Sequence, residues 1–162
     1  MYSVEDLIFQ DSGDINEEVI EYFVNSSLSN DYFLQQFKKP YPQPFCHKKY
    51  WECFAIILVK RGLPRIKDVI CEILIWWQDT NWPGFSIVEK YLLEKRAEVL
   101  DNVKKSCMEA VKEKDPIWLK NLLTTFFSTA PFVEEVCEFL EDDSWKNFDQ
   151  QYDVVNILSE LK

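Results

Sequence analysis

Glycine and histidine are scarce in this chain of 162 residues, and their scarcity argues against several kinds of site. The three glycines, Gly13, Gly62 and Gly84, stand far apart, so no glycine-rich loop is available to bind phosphate. The only histidine is His47, which lies beside Cys46 and two lysines in FCHKKYW. A Ser/His/Asp or Cys/His arrangement would have to use it, and we favour a surface or partly packed histidine. The sequence therefore predicts a protein that is not an enzyme.

The five cysteines do not form a recognisable metal or redox motif. No two have the CxxC spacing of such sites, and a zinc site would also need more histidine. Cys71, Cys107 and Cys137 fall among apolar residues, where a thiol packs as a small hydrophobic group. EF-hand spacing is absent as well. We therefore expect no metal and no cofactor.

Long apolar runs are also lacking. The longest, such as 54–59 and 73–77, are far too short to cross a bilayer, so no membrane association is expected. The first residues, MYSVEDLIFQD, are acidic and do not resemble a secretory signal. Apolar residues make up 47% of the chain, enough for one compact globular domain. A cytoplasmic protein is the expectation.

Acidic residues are concentrated at both ends of the chain, which carries a net charge of −10. Residues 1–40 hold eight acids against two lysines, and residues 131–162 hold nine acids against two lysines. Phosphate backbones repel such a protein, so nucleic acid is not an expected partner. A basic protein is, because opposite charges steer encounter. The alternative is that the acids only keep the chain soluble.

Helical periodicity dominates the sequence. Apolar residues at 66, 69, 70, 73, 74 and 77 form one continuous stripe, which predicts a helix that starts at Leu63-Pro64 and reaches Trp77. Further helices are predicted over 16–25, over 47–60 with a stop at Gly62, after Pro83 through 111, from Asp115-Pro116 through 126, from 131 to 140, and from 145 to 161. The chain is therefore predicted to be all-α.

A proline-rich stretch, KPYPQPF at 39–45, predicts an extended connector. It divides the chain into an acidic N-terminal arm with helices (1–45) and a helical repeat body (46–162), within one compact domain overall. The arm is expected either to cap the body or to meet a partner.

The pattern Asp-x-x-Trp occurs three times, at Asp79–Trp82, Asp115–Trp118 and Asp142–Trp145. Each copy falls where one predicted helix ends and the next begins, at intervals of 36 and 27 residues. The aspartate can cap the incoming helix, and the tryptophan can fill the wedge between two helices. We interpret the structural corner residues as Asp79, Asn81, Trp82, Pro83, Asp115 and Trp118.

The tryptophan-rich stretch IWWQDTNWPG, 75–84, is accordingly interpreted as scaffold, because aromatics at helical spacing usually pack in a core. Trp77 completes the stripe of its helix and is predicted to be buried. Trp76 is expected to face solvent or a neighbouring element. A ligand pocket beside Asp79 and Asn81 is the alternative.

Residues 73–93, ILIWWQDTNWPGFSIVEKYLL, resemble an uncharacterised bacterial domain family with a signature close to Leu-x-Trp-Leu-Gln-Asp-x-Asn-Trp-Pro. The matching residues are Trp76, Gln78, Asp79, Asn81, Trp82 and Pro83, while Trp77 stands where the family more often has leucine. Asp115-Pro-Ile-Trp118 looks like its second landmark. The resemblance covers about residues 63–130 and implies a HEAT-like α-helical repeat, a right-handed solenoid-like stack of antiparallel helix pairs. It implies no activity.

Two functional hypotheses follow. The first is a protein-binding helical repeat, an immunity-type inhibitor of a basic toxin or enzyme, because stacked helix pairs form extended binding surfaces. The residues predicted to contact the partner are Trp82, Glu134, Glu138, Glu141, Asp142, Asp143, Trp145 and Asp149. The second hypothesis is a small-molecule or peptide-binding module at the Asp79–Trp82 corner. A monomer or weak homodimer is expected.

Overall fold

A computed structural model describes residues 2–34, 45–113 and 115–127 of the chain. The structure is all-α over these residues, as predicted, and contains no strand within those three ranges. One antiparallel bridge, between Ile8 and Ile15, closes a tight hairpin near the N-terminus. The predicted helices over 131–140 and 145–161 and most of the connector 39–45 lie outside the described residues.

Contacts divide the chain into two compact units. The first is drawn from Met1–Ile73 and Asn81–Tyr91, and the second from Leu74–Thr80 and Leu92–Lys162. The helices of the first unit are α1 (Glu17–Asn25), α2 (Asn30–Leu34), α3 (Trp51–Arg61), α4 (Leu63–Ile66) and α5 (Ile70–Ile73), with 3-10 segments at Val4–Leu7, Phe45–Tyr50 and Lys67–Val69. The second contains a 3-10 segment at Leu74–Gln78, then α7 (Arg96–Glu113) and α8 (Pro116–Phe126); α6 (Phe85–Glu94) begins in the first unit and ends in the second.

Helix α1 begins and ends at side chains that the sequence supplies locally. The Asn16 side chain accepts a hydrogen bond from the backbone N–H of Val19, and Glu17 and Glu18 in the first turn suit the positive end of the helix. The buried face, Val19, Ile20, Phe23 and Val24, packs in the first unit, where α1 contacts α3. The N-terminal segment therefore folds onto α3.

Arg61, on the last turn of α3, fixes that packing from a buried position. Its guanidinium donates to the carbonyls of Phe23 and Leu28, each at 2.9 Å, and to the side chains of Ser26 and Asn30. These acceptors lie at and after the C-terminal end of α1, where helix carbonyls lose their partners within the helix. Loss of solvation, and then the like charge of Arg65, lower the pKa of this guanidinium.

The end of α3 confirms one local prediction. Gly62 follows the helix with φ of 79°, and its N–H donates to the carbonyl of Val59 at 3.0 Å. The left-handed conformation suits glycine, which lacks a Cβ. The N–H of the following residue, Leu63, donates to the Tyr91 hydroxyl at 2.6 Å.

The single regular helix predicted from Leu63 to Trp77 is wrong in its geometry. The stripe is helical throughout, but α4 and α5 alternate with the 3-10 segments Lys67–Val69 and Leu74–Gln78. The first 3-10 segment follows Arg65, whose carbonyl accepts a hydrogen bond from the Asn30 amide. Side-chain donors from elsewhere in the chain thus bond carbonyls that a regular α-helix would use internally.

Both tryptophans at the end of this stripe are buried. Trp77 is 0% exposed, as predicted. Trp76 is 2% exposed, which excludes the solvent-facing alternative and agrees with the other one, a neighbouring element. Apolar residues of α7 and α8 are buried as well; they include Val99, Val103, Cys107, Leu119, Leu122, Leu123 and Phe126.

Arg61→Met is expected to lower the free energy of unfolding by about 3 kcal/mol, because the hydrogen bonds from the guanidinium to Phe23, Ser26, Leu28 and Asn30 would be lost. Lys67→Met, which removes an exposed charge from the same unit, is the control and is expected to cost less than about 0.5 kcal/mol. Urea unfolding followed by circular dichroism measures both. Equal losses in the two variants would contradict the anchoring role of Arg61.

Candidate functional site

The second copy of the Asp-x-x-Trp pattern has the predicted capping geometry. Asp115 precedes α8 with extended backbone angles, and its Oδ1 accepts the backbone N–H of Trp118 at 2.9 Å. Pro116 occupies the first turn of the helix, where no N–H is needed. Trp118 is 3% exposed, so this tryptophan fills space between elements, as the corner interpretation predicted.

Side chains along one face of α8 bond to the 3-10 segment Leu74–Gln78 in the second unit. The Trp118 indole N–H donates to the carbonyl of Leu74 at 2.9 Å, and the Asn121 amide donates to the carbonyl of Trp77 at 2.8 Å. The Trp77 indole N–H donates in return to the Thr125 hydroxyl at 3.0 Å. Residues 118, 121 and 125 share a helix face. The stretch IWWQ is therefore part of a packed, hydrogen-bonded core.

The first copy of the pattern is built differently. Helix α6 begins at Phe85, six residues after Asp79, so Asp79 does not occupy the N-cap position and that prediction is wrong. Asp79 and Pro83 are half-buried, and Asn81 is exposed. Trp82 is half-buried and packs edge-to-face on Trp51 of α3, with ring centroids 4.9 Å apart. The third copy, Asp142–Trp145, lies outside the described residues.

Gly84 holds the segment that carries Trp82 against α3. Its φ is 85°, and a Cβ at this position would lie 2.6 Å from the Cβ of Ala55 and 3.1 Å from the carbonyl oxygen of Trp51. Only a glycine satisfies both the backbone angle and the close approach. The position of Trp82 beside Trp51 therefore depends on two small residues in contact.

A lysine completes this aromatic pair. The Lys48 ammonium lies 5.4 Å from the centroid of Trp51 and 5.5 Å from that of Trp82, within the range of cation–π attraction. Lys48 stands in the 3-10 segment Phe45–Tyr50, directly before α3. The sequence interpretation identified Trp82 but missed Lys48 and Trp51, because no periodic pattern links residues so far apart in the chain.

The predicted partner-binding residues other than Trp82 all lie outside the described residues: Glu134, Glu138, Glu141, Asp142, Asp143, Trp145 and Asp149. A different acidic surface is described in the first unit. Seven exposed acids lie in its N-terminal segment: Glu5, Asp6, Asp11, Asp14, Glu17, Glu18 and Glu21. The sequence interpretation recorded this charge, but proposed no contact residues there.

Of the three thiols of Cys53, Cys71 and Cys107, two are buried, and the third, that of Cys71, is half-buried. Cys107 is 0% exposed, and burial raises the pKa of its thiol. Cys53 is 0% exposed, and burial, followed by the charge of Glu52, raises the pKa of its thiol to about 11. A high pKa leaves little of the reactive thiolate at neutral pH.

Among the residues that the structure describes, no three His, Cys, Asp or Glu side chains are grouped closely enough to hold a metal ion. In the same part of the chain, no helix is long and apolar enough to span a membrane.

Gly84→Ala is expected to destabilise the protein by about 3 kcal/mol, because it adds a steric clash to an unfavourable backbone angle. Gly13→Ala is the matched control: its φ is 79°, but no atom lies within 4 Å of the added Cβ. The control should lose only about 1 kcal/mol. Thermal and urea unfolding compare the two, and equal losses would contradict the close contact with α3.

Trp118→Phe is expected to cost about 2 kcal/mol, since the Leu74 carbonyl loses its indole donor and the core loses volume. Ile117→Ala, at a neighbouring position that is 62% exposed, should change stability by less than about 0.5 kcal/mol. Urea unfolding monitored by circular dichroism tests both. A Trp118→Phe variant as stable as the parent would show that the hydrogen bond from Trp118 to the Leu74 carbonyl contributes nothing.

Comparison with known proteins places these features in a family. No curated protein and no solved structure matches the chain. Residues 47–143 match a family described as a domain of unknown function, DUF5071. The match is wider than the 63–130 stretch of the resemblance, and it contains Lys48, Trp51 and Trp82 as well as the hydrogen-bonded core around Trp118. The chain belongs to the DUF5071 family.

Proposed function

We propose that the protein is a non-enzymatic, cytoplasmic protein-binding domain, an inhibitor of the immunity type that neutralises a basic toxin or enzyme. The observation that carries the proposal is the acidic surface of the N-terminal segment. This surface is defined by Glu5, Asp6, Asp11, Asp14, Glu17, Glu18 and Glu21, and the sequence has no lysine or arginine before Lys38.

The 3-10 segment Val4–Leu7, a short hairpin and α1 hold the acids of this surface in fixed positions. Within the hairpin, the N–H of Phe9 donates to the carbonyl of Asp14, and the N–H of Asn16 donates to that of Leu7, both at 2.8 Å. Preorganised charges bind an opposite surface with less loss of conformational freedom than charges on a mobile tail. Lys60 pairs with Glu17 at 3.6 Å and Glu21 at 2.6 Å, so one cation offsets only part of the charge.

Exposed aromatic rings accompany the acids. Phe9 is 51% exposed, while Tyr2 and Tyr22 are each 37% exposed and pack edge-to-face at 5.2 Å. The Tyr2 hydroxyl donates to the Glu18 carboxylate, which holds this ring beside an acid. Aromatic side chains are enriched at protein interfaces, and surrounding charges set the choice of partner. The combination favours a protein partner over a purely solubilising role for the acids.

The HEAT-like stack of helix pairs is part of this proposal. It is supported by the consecutive helices α7 and α8, which pack against each other. The acids between Glu134 and Asp149 remain proposed contacts on the same grounds of charge. The binding of a small molecule or peptide at the Asp79–Trp82 corner is the second candidate, favoured by the position of Lys48 close to both Trp51 and Trp82.

Affinity capture from the native cell lysate at low and high salt tests the proposed function. The expected result is a dominant basic protein that elutes as salt rises, because exposed ion pairs are screened. Neutralisation of Glu5, Asp11 and Asp14 as Gln, Asn and Asn should weaken binding about tenfold. The same number of exposed acids outside this surface, changed as Glu94→Gln, Asp101→Asn and Glu113→Gln, provides the control.

Binding that persists undiminished in molar salt would contradict the electrostatic part of the proposal. Equal weakening by the two sets of substitutions would show that net charge, and not this surface, is responsible. A folded protein that retains no partner would favour the second candidate.

A further inference from the structure

The pair formed by Trp51 and Trp82 has the features of a binding site for an organic cation. The two indole rings meet edge-to-face at an interplanar angle of 74°, and a single ammonium group lies close to both. Proteins recognise alkylammonium groups by surrounding them with aromatic rings, whose faces carry negative charge density. In this chain the ammonium belongs to Lys48.

The two rings are more firmly fixed than the cation that lies beside them. Trp51 is 7% exposed and opens α3, and Trp82 is tied to α3 through the contact of Gly84 with Ala55. Lys48, by contrast, reaches the rings on a flexible chain of four methylene groups. The rings therefore form a preorganised site, and Lys48 is an occupant that can leave without unfolding either wall.

The exposure of the site allows such an exchange. Trp82 and Lys48 are both half-buried, so part of the cation–π arrangement borders solvent. The neighbouring lysine, Lys49, is exposed and lies over Tyr50 instead, 4.7 Å from the ring centroid. The two adjacent lysines thus contact different rings. Of the two, Lys48 is the one that lies close to a pair of indole rings.

We propose that the Trp51–Trp82 pair binds an organic cation, the lysine or arginine side chain of the basic partner, and that Lys48 occupies the site until this cation displaces it. The proposal rests on the proposed function for the source of the cation, but the site itself can be tested without any partner. Trp82 then acts as the aromatic anchor of the complex, surrounded by contacts that exclude water.

The test uses the full chain and two defined probes, tetramethylammonium chloride and N-acetyl-argininamide, titrated at constant ionic strength against sodium chloride. The indole N–H signals of Trp51 and Trp82 in a proton–nitrogen correlation spectrum report binding. Lys48→Ala removes the internal competitor and is expected to bind both probes about tenfold more tightly than the parent, given the strength of partly desolvated cation–π contacts. Lys49→Ala, which removes the same charge one residue away, should leave the affinity of the parent unchanged.

Equal affinities in Lys48→Ala and Lys49→Ala would overturn the proposal, because a general loss of positive charge would then explain the change. Trp82→Phe in the Lys48→Ala background keeps a ring at this position and should weaken binding several-fold. Unchanged affinity in that double variant would overturn the proposal as well.

A separate measurement tests whether the cation belongs to a protein partner. Trp82→Phe in otherwise unaltered protein should reduce partner capture while the acidic surface remains intact. If the probes bind as expected but capture does not depend on Trp82, the site stands and its ligand is a free cation. If no partner is captured at all, the proposed function fails, and the titrations still decide whether the site binds cations.

Discussion

Backbone carbonyls that lose their helical partners must be given other donors, and in both units side chains reach across the fold to supply them. Arg61 does this in the first unit, for carbonyls at and beyond the end of α1. Trp118 and Asn121 do it in the second, for the 3-10 segment that contains Trp77. These bonds join residues more than thirty positions apart in sequence, so tertiary structure and local helix geometry are mutually dependent.

This dependence explains which parts of the fold the sequence could predict. The Gly62 stop and the Asp115 cap each act within three residues, and local signals predicted both correctly. The geometry of the stretch 63–78 was predicted incorrectly, because its 3-10 segments coincide with donors from Asn30 and Trp118, which no local pattern reveals.

The candidate site shows the same limit. Sequence reasoning singled out Trp82 from its unusual surroundings, and it placed Asp79 at the start of the next helix by analogy with Asp115. Helix α6 starts later than this analogy required, because Gly84 brings the intervening segment onto α3. Lys48 and Trp51 lie near Trp82 only in the folded chain, so the spacing of residues in the sequence could not predict their roles. Acidic charge, by contrast, was visible from composition, although its position on α1 and the hairpin was not.

The contact between Gly84 and Ala55 limits which residues this chain can accept at either position. Position 55 lies in the middle of α3 and position 84 just before α6. A Cβ at position 84 would overlap the Cβ of Ala55, so the sizes of the two residues limit each other. A larger residue at position 55 would push the 81–84 segment off the helix even with glycine retained at position 84. A larger side chain there would also displace Trp82, and the aromatic pair would lose its second ring. The size of one alanine thus determines whether this chain can form that pair.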